Sequence, residues 1–215
     1  QGLVKTQIDG VEIEAGFDTR ALLTGRMDEA TENALRTFLT TLDELLPGTI
    51  ILRAVDDADF TNRRVRDLEA DILATKADVV VIDPFYYLDY EPNTSKTTGG
   101  DAANTSKRLR HLAGRTNTVI HVITQADEVK DVKSEDGVRE VKPPQRAEIK
   151  KTKAVLEDAA NVFGIDTADG LGVIEIGKGR HGGEGVRVEV RYLPKYGIVD
   201  EIEPNAEQFD VTSVF

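Results

Sequence analysis

Between Ala77 and Leu88 the chain reads Ala-Asp-Val-Val-Val-Ile-Asp-Pro-Phe-Tyr-Tyr-Leu, with no polar residue from Val79 to Ile82 and a carboxylate, Asp83, at the end of the run. A stretch that short and Val-rich predicts a central strand of a parallel sheet, buried on both faces. An acid at the carboxyl end of such a strand stands where open α/β sheets place their ligands. There Asp83 can reach the water shell of a Mg²⁺ held by nucleotide phosphates. The simpler reading is that Asp83 caps the turn that follows the strand.

The flanking segments alternate between helical and extended patterns. Asp18 opens a short helix, Thr19 to Leu23, which Gly25 stops. Asp28 caps a longer helix running to about Leu46, with Ala34, Leu35, Phe38, Leu39, Leu42, Leu45 and Leu46 as its apolar stripe. Thr49 to Val55 reads as a strand, and Thr61 caps a helix with Val65, Leu68, Ile72 and Leu73 on one face. After the Val79–Ile82 strand comes a polar loop, residues 89–102, then a basic helix, roughly Ala103 to Arg115. Val119 to Thr124 is a second apolar strand, ending in Gln125, followed by a long polar segment, residues 127–149. Helix-like residues 150–162 precede a strand at Gly172–Ile176. A glycine-rich turn, Gly177 to Gly183, then leads to its hairpin partner at Val186–Tyr192.

The length of 215 residues suits one core-bearing α/β domain rather than two. With 40% hydrophobic and 31% charged residues the chain falls in the ordinary globular class. The absence of cysteine excludes disulfides and thiolate metal sites. The three histidines, His111, His121 and His181, are not spaced as ligands. No long apolar segment or signal pattern is present, so a cytoplasmic protein without a membrane partner is the expectation. The net charge of −12 does not decide about nucleic acid, because a groove is set by local charge.

The order of features resembles the C-terminal motor domain of the DnaB family of replicative hexameric DNA helicases. The resemblance runs from about Phe17 to Val199. It is carried by Leu22-Leu23-Thr24-Gly25-Arg26-Met27-Asp28, Val79–Leu88, Ser106-Lys107-Arg108-Leu109-Arg110-His111-Leu112-Ala113, Ile123-Thr124-Gln125 and Ile176-Gly177-Lys178-Gly179-Arg180-His181-Gly182. It implies a RecA-like α/β fold over residues 1–199, mostly parallel, flanked by helices and ending in an antiparallel hairpin, with residues 200–215 as an acidic tail. It also implies ATP and Mg²⁺ as cofactors, with Asp83 as the Walker B acid.

Gln125 would sense the γ-phosphate, an amide being able to donate to phosphate and accept from a neighbour at once. Lys178 and Arg180 would reach the neighbouring subunit's nucleotide, which implies a ring. The loops at 89–102 and 127–149 would line a channel for single-stranded DNA. Phosphate contacts are expected from Lys142, Arg146, Lys150, Lys151 and Lys153, where basic density is highest. Acids are interleaved through that segment, so a merely solvated loop is the alternative. A loader or primase is a possible partner.

No Gly-x-x-x-x-Gly-Lys-Ser/Thr loop occurs in the chain. The chain opens on Gln1 rather than Met and reads as a portion of something longer, unable to hydrolyse ATP alone. Two other readings share the fold: a RecA-like ATPase of a recombination mediator or loader, and a non-catalytic interaction module.

Overall fold

The structure is a computed structural model that describes residues 4–8, 11–58, 60–92, 100–127, 139–148 and 153–202. It is a mixed α/β chain whose strands fall into three sheets. Two compact units are present. One comprises Gln1–Ile51, Asp166–Ile174 and Arg187–Phe215; the other comprises Leu52–Ile165 and Glu175–Val186.

The first unit begins with an antiparallel pair, β1 (Val4–Ile8) and β2 (Val11–Ala15), in the register Val4↔Ala15 to Ile8↔Val11. Two helices follow as the sequence predicts, α1 (Thr19–Thr24) and α2 (Glu29–Leu45). Asp18 caps α1 by accepting from the Arg20 N–H at 2.9 Å and the Ala21 N–H at 3.2 Å. Gly25 ends α1 at φ 65°, a left-handed conformation that costs glycine little. Asp28 caps α2 by accepting from the Thr31 N–H at 2.7 Å. The start of α1 is also tied to the turn at 194–196. Thr19 Oγ1 donates to the Lys195 carbonyl at 3.1 Å, and Lys195 Nζ lies 3.3 Å from Asp18 Oδ2.

These caps carry a pH signature. The Ala21 N–H holds the Asp18 carboxyl below the usual 3.8, against a desolvation cost, with Lys195 and the Arg20 N–H adding to the shift. The Thr31 N–H and hydroxyl do the same for Asp28. A carboxylate whose pKa is lowered by folding contributes stability above its unfolded pKa and loses it as pH falls through the folded one. The helical circular-dichroism signal is therefore expected to drop as pH falls below about 4. Asp28→Asn, which keeps a capping oxygen but cannot titrate, should flatten part of that drop, whereas Asp28→Ala should lower helicity at neutral pH too.

The second unit holds the parallel pair. Helix α3 (Val65–Thr75) leads to β3 (Val79–Ile82); then α4 (Gly100–Thr116) leads to β4 (Val119–Val122). The strands pair in parallel from Val79↔Val119 to Ile82↔Val122, and the ladder is extended by Ile123 N–H to the Ile82 carbonyl at 2.9 Å. Val65, Ile72, Ile82, Phe85, Ala102, Leu109 and Leu112 form the core, with Val80, Ile120 and Val122 packed against it. The helical face of α4 is explained by spacing: Ala102, Thr105, Ser106, Leu109 and Leu112 recur at three and four residues and are all buried. Two buried hydroxyls on that face are used. Thr105 Oγ1 accepts from the Glu91 N–H at 2.8 Å, and Ser106 Oγ donates to Asp158 Oδ2 at 2.8 Å.

The expectation of a strand buried on both faces is corrected. Ile82 is buried, but Val79 and Val81 are 55% and 60% exposed, as is Val119 at 55%. The helices cover one face of this sheet, and successive side chains on a strand point to opposite faces. The mostly parallel sheet expected from the sequence is met, among the described residues, by this pair alone.

The remaining strands are antiparallel. A short helix α5 (Ala154–Asp158) precedes β5 (Asn161–Ala168), β6 (Leu171–Gly179), β7 (Arg187–Leu193) and β8 (Ile198–Glu201), hydrogen-bonded in the order β5-β6-β7-β8. The unit boundaries fall within β5 and β6. Of the helix-like residues 150–162, 150–152 lie outside the described residues, Ala154–Asp158 form α5, and Asn161 and Val162 already belong to β5. Thr49–Val55, expected as a strand, forms none; Ile50 and Leu52 are 67% and 82% exposed. An extended segment becomes a strand only where a neighbour bonds its backbone. Asp200 and Glu201, where the acidic tail was expected to begin, belong to β8. The rest of that tail, 203–215, lies outside the described residues.

Candidate functional site

Asp83 follows β3 directly, one residue beyond the Ile82↔Val122 pair, and Gln125 stands three residues beyond Val122 on the neighbouring strand. Both strands run the same way, so the carboxylate and the amide share the carboxyl end of the pair. Both side chains are exposed, and neither makes a hydrogen bond or ion pair to another described residue. The backbone around them is fixed: the Phe85 N–H donates to the Ile123 carbonyl at 2.8 Å, which locks the turn after Asp83 against the end of β4. That turn contains a cis Asp83-Pro84 peptide.

The capping role is not what the structure gives Asp83, since its carboxylate accepts from no described backbone N–H; its oxygens face solvent. A lone exposed carboxylate suits a Mg²⁺ that keeps most of its waters and takes its other ligands from phosphates. Among the described residues no group of three His, Asp or Glu side chains converges as a protein-built metal cage.

The glycine-rich hairpin is placed differently from the sequence expectation. Lys178 lies within β6, while Arg180 is the first residue of the turn beyond it. Their surroundings differ sharply. Lys178 Nζ donates to three backbone carbonyls, Leu156 at 2.6 Å, Ala159 at 2.8 Å and Glu157 at 2.9 Å. Those carbonyls are the ones left open at the end of α5, and a cation there satisfies both their acceptors and the helix dipole. Arg180 is exposed and its guanidinium engages no other described residue, although its backbone N–H donates to the Ala160 carbonyl at 3.0 Å. The turn is tight. A Cβ on Gly179 would overlap the Gly182 carbonyl oxygen, and Gly182 itself sits at φ 106°.

Of the residues expected to meet DNA, Lys142, Arg146 and Lys153 are described and exposed, whereas Lys150 and Lys151 lie outside the described residues. So do most of the second channel loop (128–138, 149) and the centre of the first (93–99). Arg146 is ion-paired with Glu184 in the glycine turn at 3.4 Å, with both side chains about half exposed. Its neighbour Gln145 reaches Glu175 on β6 at 3.5 Å. These two acids escaped the sequence reading; Glu184, four residues past Arg180 in a turn otherwise basic and glycine-rich, was the available signal. The Asp127 N–H donates to the Glu148 carbonyl at 2.6 Å, closing the base of the second loop just beyond Gln125.

The structure therefore brings Asp83 and Gln125 to one strand end. It joins Lys178, the Arg180 backbone and Arg146 around the β6–β7 turn and α5. Between those two groups the described residues make no hydrogen bond or ion pair.

No protein-family model and no curated protein sequence matches this chain. Among the described residues, no helix is long and apolar enough to cross a membrane.

Proposed function

We propose that the chain is the C-terminal portion of a RecA-like motor of a DnaB-type replicative helicase. In the polypeptide that carries it, ATP hydrolysis would be coupled to movement along single-stranded DNA and duplex unwinding by a cytoplasmic hexameric ring. The observation that supports this reading is the parallel β3–β4 pair, whose register leaves Asp83 and Gln125 unengaged at the same strand end. A ligand-binding site at the carboxyl ends of parallel strands is the rule for open α/β sheets.

Each residue then has a physical task. Asp83 would hold Mg²⁺ through water; when bound, that ion neutralises charge on the β- and γ-phosphate oxygens. Gln125, its amide unspent, donates to a phosphate oxygen, and its position directly before Asp127 and the second loop links nucleotide to DNA-binding chain. Arg180, exposed at the rim of the hairpin, extends two parallel N–H groups towards phosphate oxygens of a neighbouring subunit. Lys142, Arg146 and Lys153 supply sequence-independent phosphate contacts. No Gly-x-x-x-x-Gly-Lys-Ser/Thr loop occurs in these residues, so on this reading the phosphate cradle would come from another segment or subunit.

The test is DNA-stimulated ATP hydrolysis and forked-duplex unwinding by the polypeptide that contains this chain together with a phosphate loop. Single-stranded DNA should raise the hydrolysis rate. Asp83→Asn should lower it by at least about a hundredfold, because the replacement amide orders a metal-bound water far less well than a carboxylate. Hydrolysis without strand separation would move the assignment to a loader or mediator ATPase. Hydrolysis indifferent to Asp83→Asn would sink it.

A further inference from the structure

Two cations two residues apart in one hairpin invite a common role, and the geometry separates them. Lys178 spends its three ammonium donors on the carbonyls of Leu156, Glu157 and Ala159. An ammonium has three N–H groups and no more, so none remains for a ligand while this arrangement lasts. Arg180 is anchored by its backbone to the Ala160 carbonyl, and its guanidinium stays exposed.

The same stretch is held at further points. Asp158 accepts from Ser106 Oγ of α4, Arg146 pairs with Glu184, and Gln145 reaches Glu175. Residues 145–146 and 156–160 are thereby tied to the hairpin 175–186, and the lysine makes the densest set of bonds between them.

We infer that Lys178 is a positioning residue: it pins the carboxyl end of α5 to β6, and it leaves Arg180 as the phosphate-reaching member of the pair. The first half stands on hydrogen bonds within the chain alone. The second half rests on the phosphate-binding reading given above. The consequence is mechanical. The turn that carries Arg180 cannot shift relative to α5 unless the lysine lets go. A displacement of residues 154–159 is therefore carried to the turn holding Arg180 through Lys178.

The experiment is carried out on the whole 215-residue chain and needs no nucleotide. In a ¹H–¹⁵N spectrum tuned to lysine side chains, the Lys178 ammonium should give a resolved signal at neutral pH, since a fully bonded ammonium exchanges slowly with water. Lys178→Met keeps the stem and removes the donors. It should speed amide exchange at Ala159 and Arg180 by about tenfold or more, the scale expected when charge-assisted hydrogen bonds are lost. Lys178→Arg should restore little of this protection, because a planar fork cannot aim three donors at three convergent carbonyls. Arg180→Ala should leave Ala159 exchange unchanged.

No ammonium signal in the unaltered chain, together with unchanged exchange in Lys178→Met, would overturn the pin. So would full restoration by Lys178→Arg, or equal acceleration by Arg180→Ala. Should Lys178→Met fail to fold, the ammonium signal of the unaltered chain and the Lys178→Arg exchange decide alone. A normal ATPase rate in Arg180→Ala would instead strike the helicase reading and leave the pin standing.

Discussion

Arg180→Ala is expected, on the helicase reading proposed above, to lower ATP hydrolysis about a thousandfold, the lower end of what an arginine finger supplies to phosphoryl transfer. The size follows from the chemistry. The transferring phosphoryl group spreads negative charge over its oxygens, and a bidentate guanidinium meets two of them in a geometry that a flexible ammonium does not reproduce. Arg180 is exposed, at a turn, and among the described residues it is bound only through its backbone. A subunit mixture separates action in trans from action in cis. On the same reading, Arg180→Ala and Asp83→Asn subunits would each be inactive alone, but in a mixed ring the Asp83 of the first would meet the Arg180 of the second. Partial recovery of hydrolysis on mixing is the result expected for action in trans; no recovery would assign Arg180 to its own subunit's site.

The largest stability effect is expected at Leu112. Its side chain has no exposed surface and sits among Val65, Ile72, Ile82, Phe85, Ala102 and Leu109. Leu112→Ala removes buried methyl groups and leaves a cavity that α4, held against its neighbours, cannot close. The cost is about 2–5 kcal/mol. Since a domain's whole stability is about 5–15 kcal/mol, this is enough to bring the second unit near its unfolding point. Urea titration followed by far-ultraviolet circular dichroism reads it as a lower midpoint at unchanged slope. Leu73, expected on the same face of α3 as Ile72 but in fact 64% exposed, is the control: Leu73→Ala should shift stability by no more than about 0.5 kcal/mol. Equal effects at the two positions would mean that the core is elsewhere.

The elements legible in the sequence are those set by local rules. The Val79–Ile82 strand, the Asp18 and Asp28 caps and the Gly25 stop each follow from a few adjacent side chains and keep the bounds expected of them, to within a residue. What escaped was decided over distance. Thr49–Val55 has the composition of a strand but pairs with no other strand among the described residues. Only Asn161 and Val162 of β5 fall in the segment read as helix-like, and the rest of the strand has no sequence assignment, although Asp169-Gly170, both with positive φ, marks a hairpin at its end. At the candidate site, the alternation of a strand could say that Lys178 projects from β6. It could not say that three carbonyls from residues 156–159 converge on it, because nothing local encodes that meeting. The uncovered valines of β3 were likewise invisible, since an apolar run looks the same whether one face or both are buried.

The tight turn beyond β6 constrains which sequences can share this chain's hairpin. At position 179 any side chain, even a methyl group, would have to occupy the space of the Gly182 carbonyl oxygen, and the obstacle is main chain that cannot rotate aside. In a survey of every single substitution, position 179 should therefore tolerate no replacement. The neighbouring surface positions 180, 181 and 184 should accept many as far as folding is concerned. Selection for the fold and selection for activity would then be readable separately within six consecutive residues: glycine kept at 179 for shape, arginine kept at 180 only where the chemistry is kept.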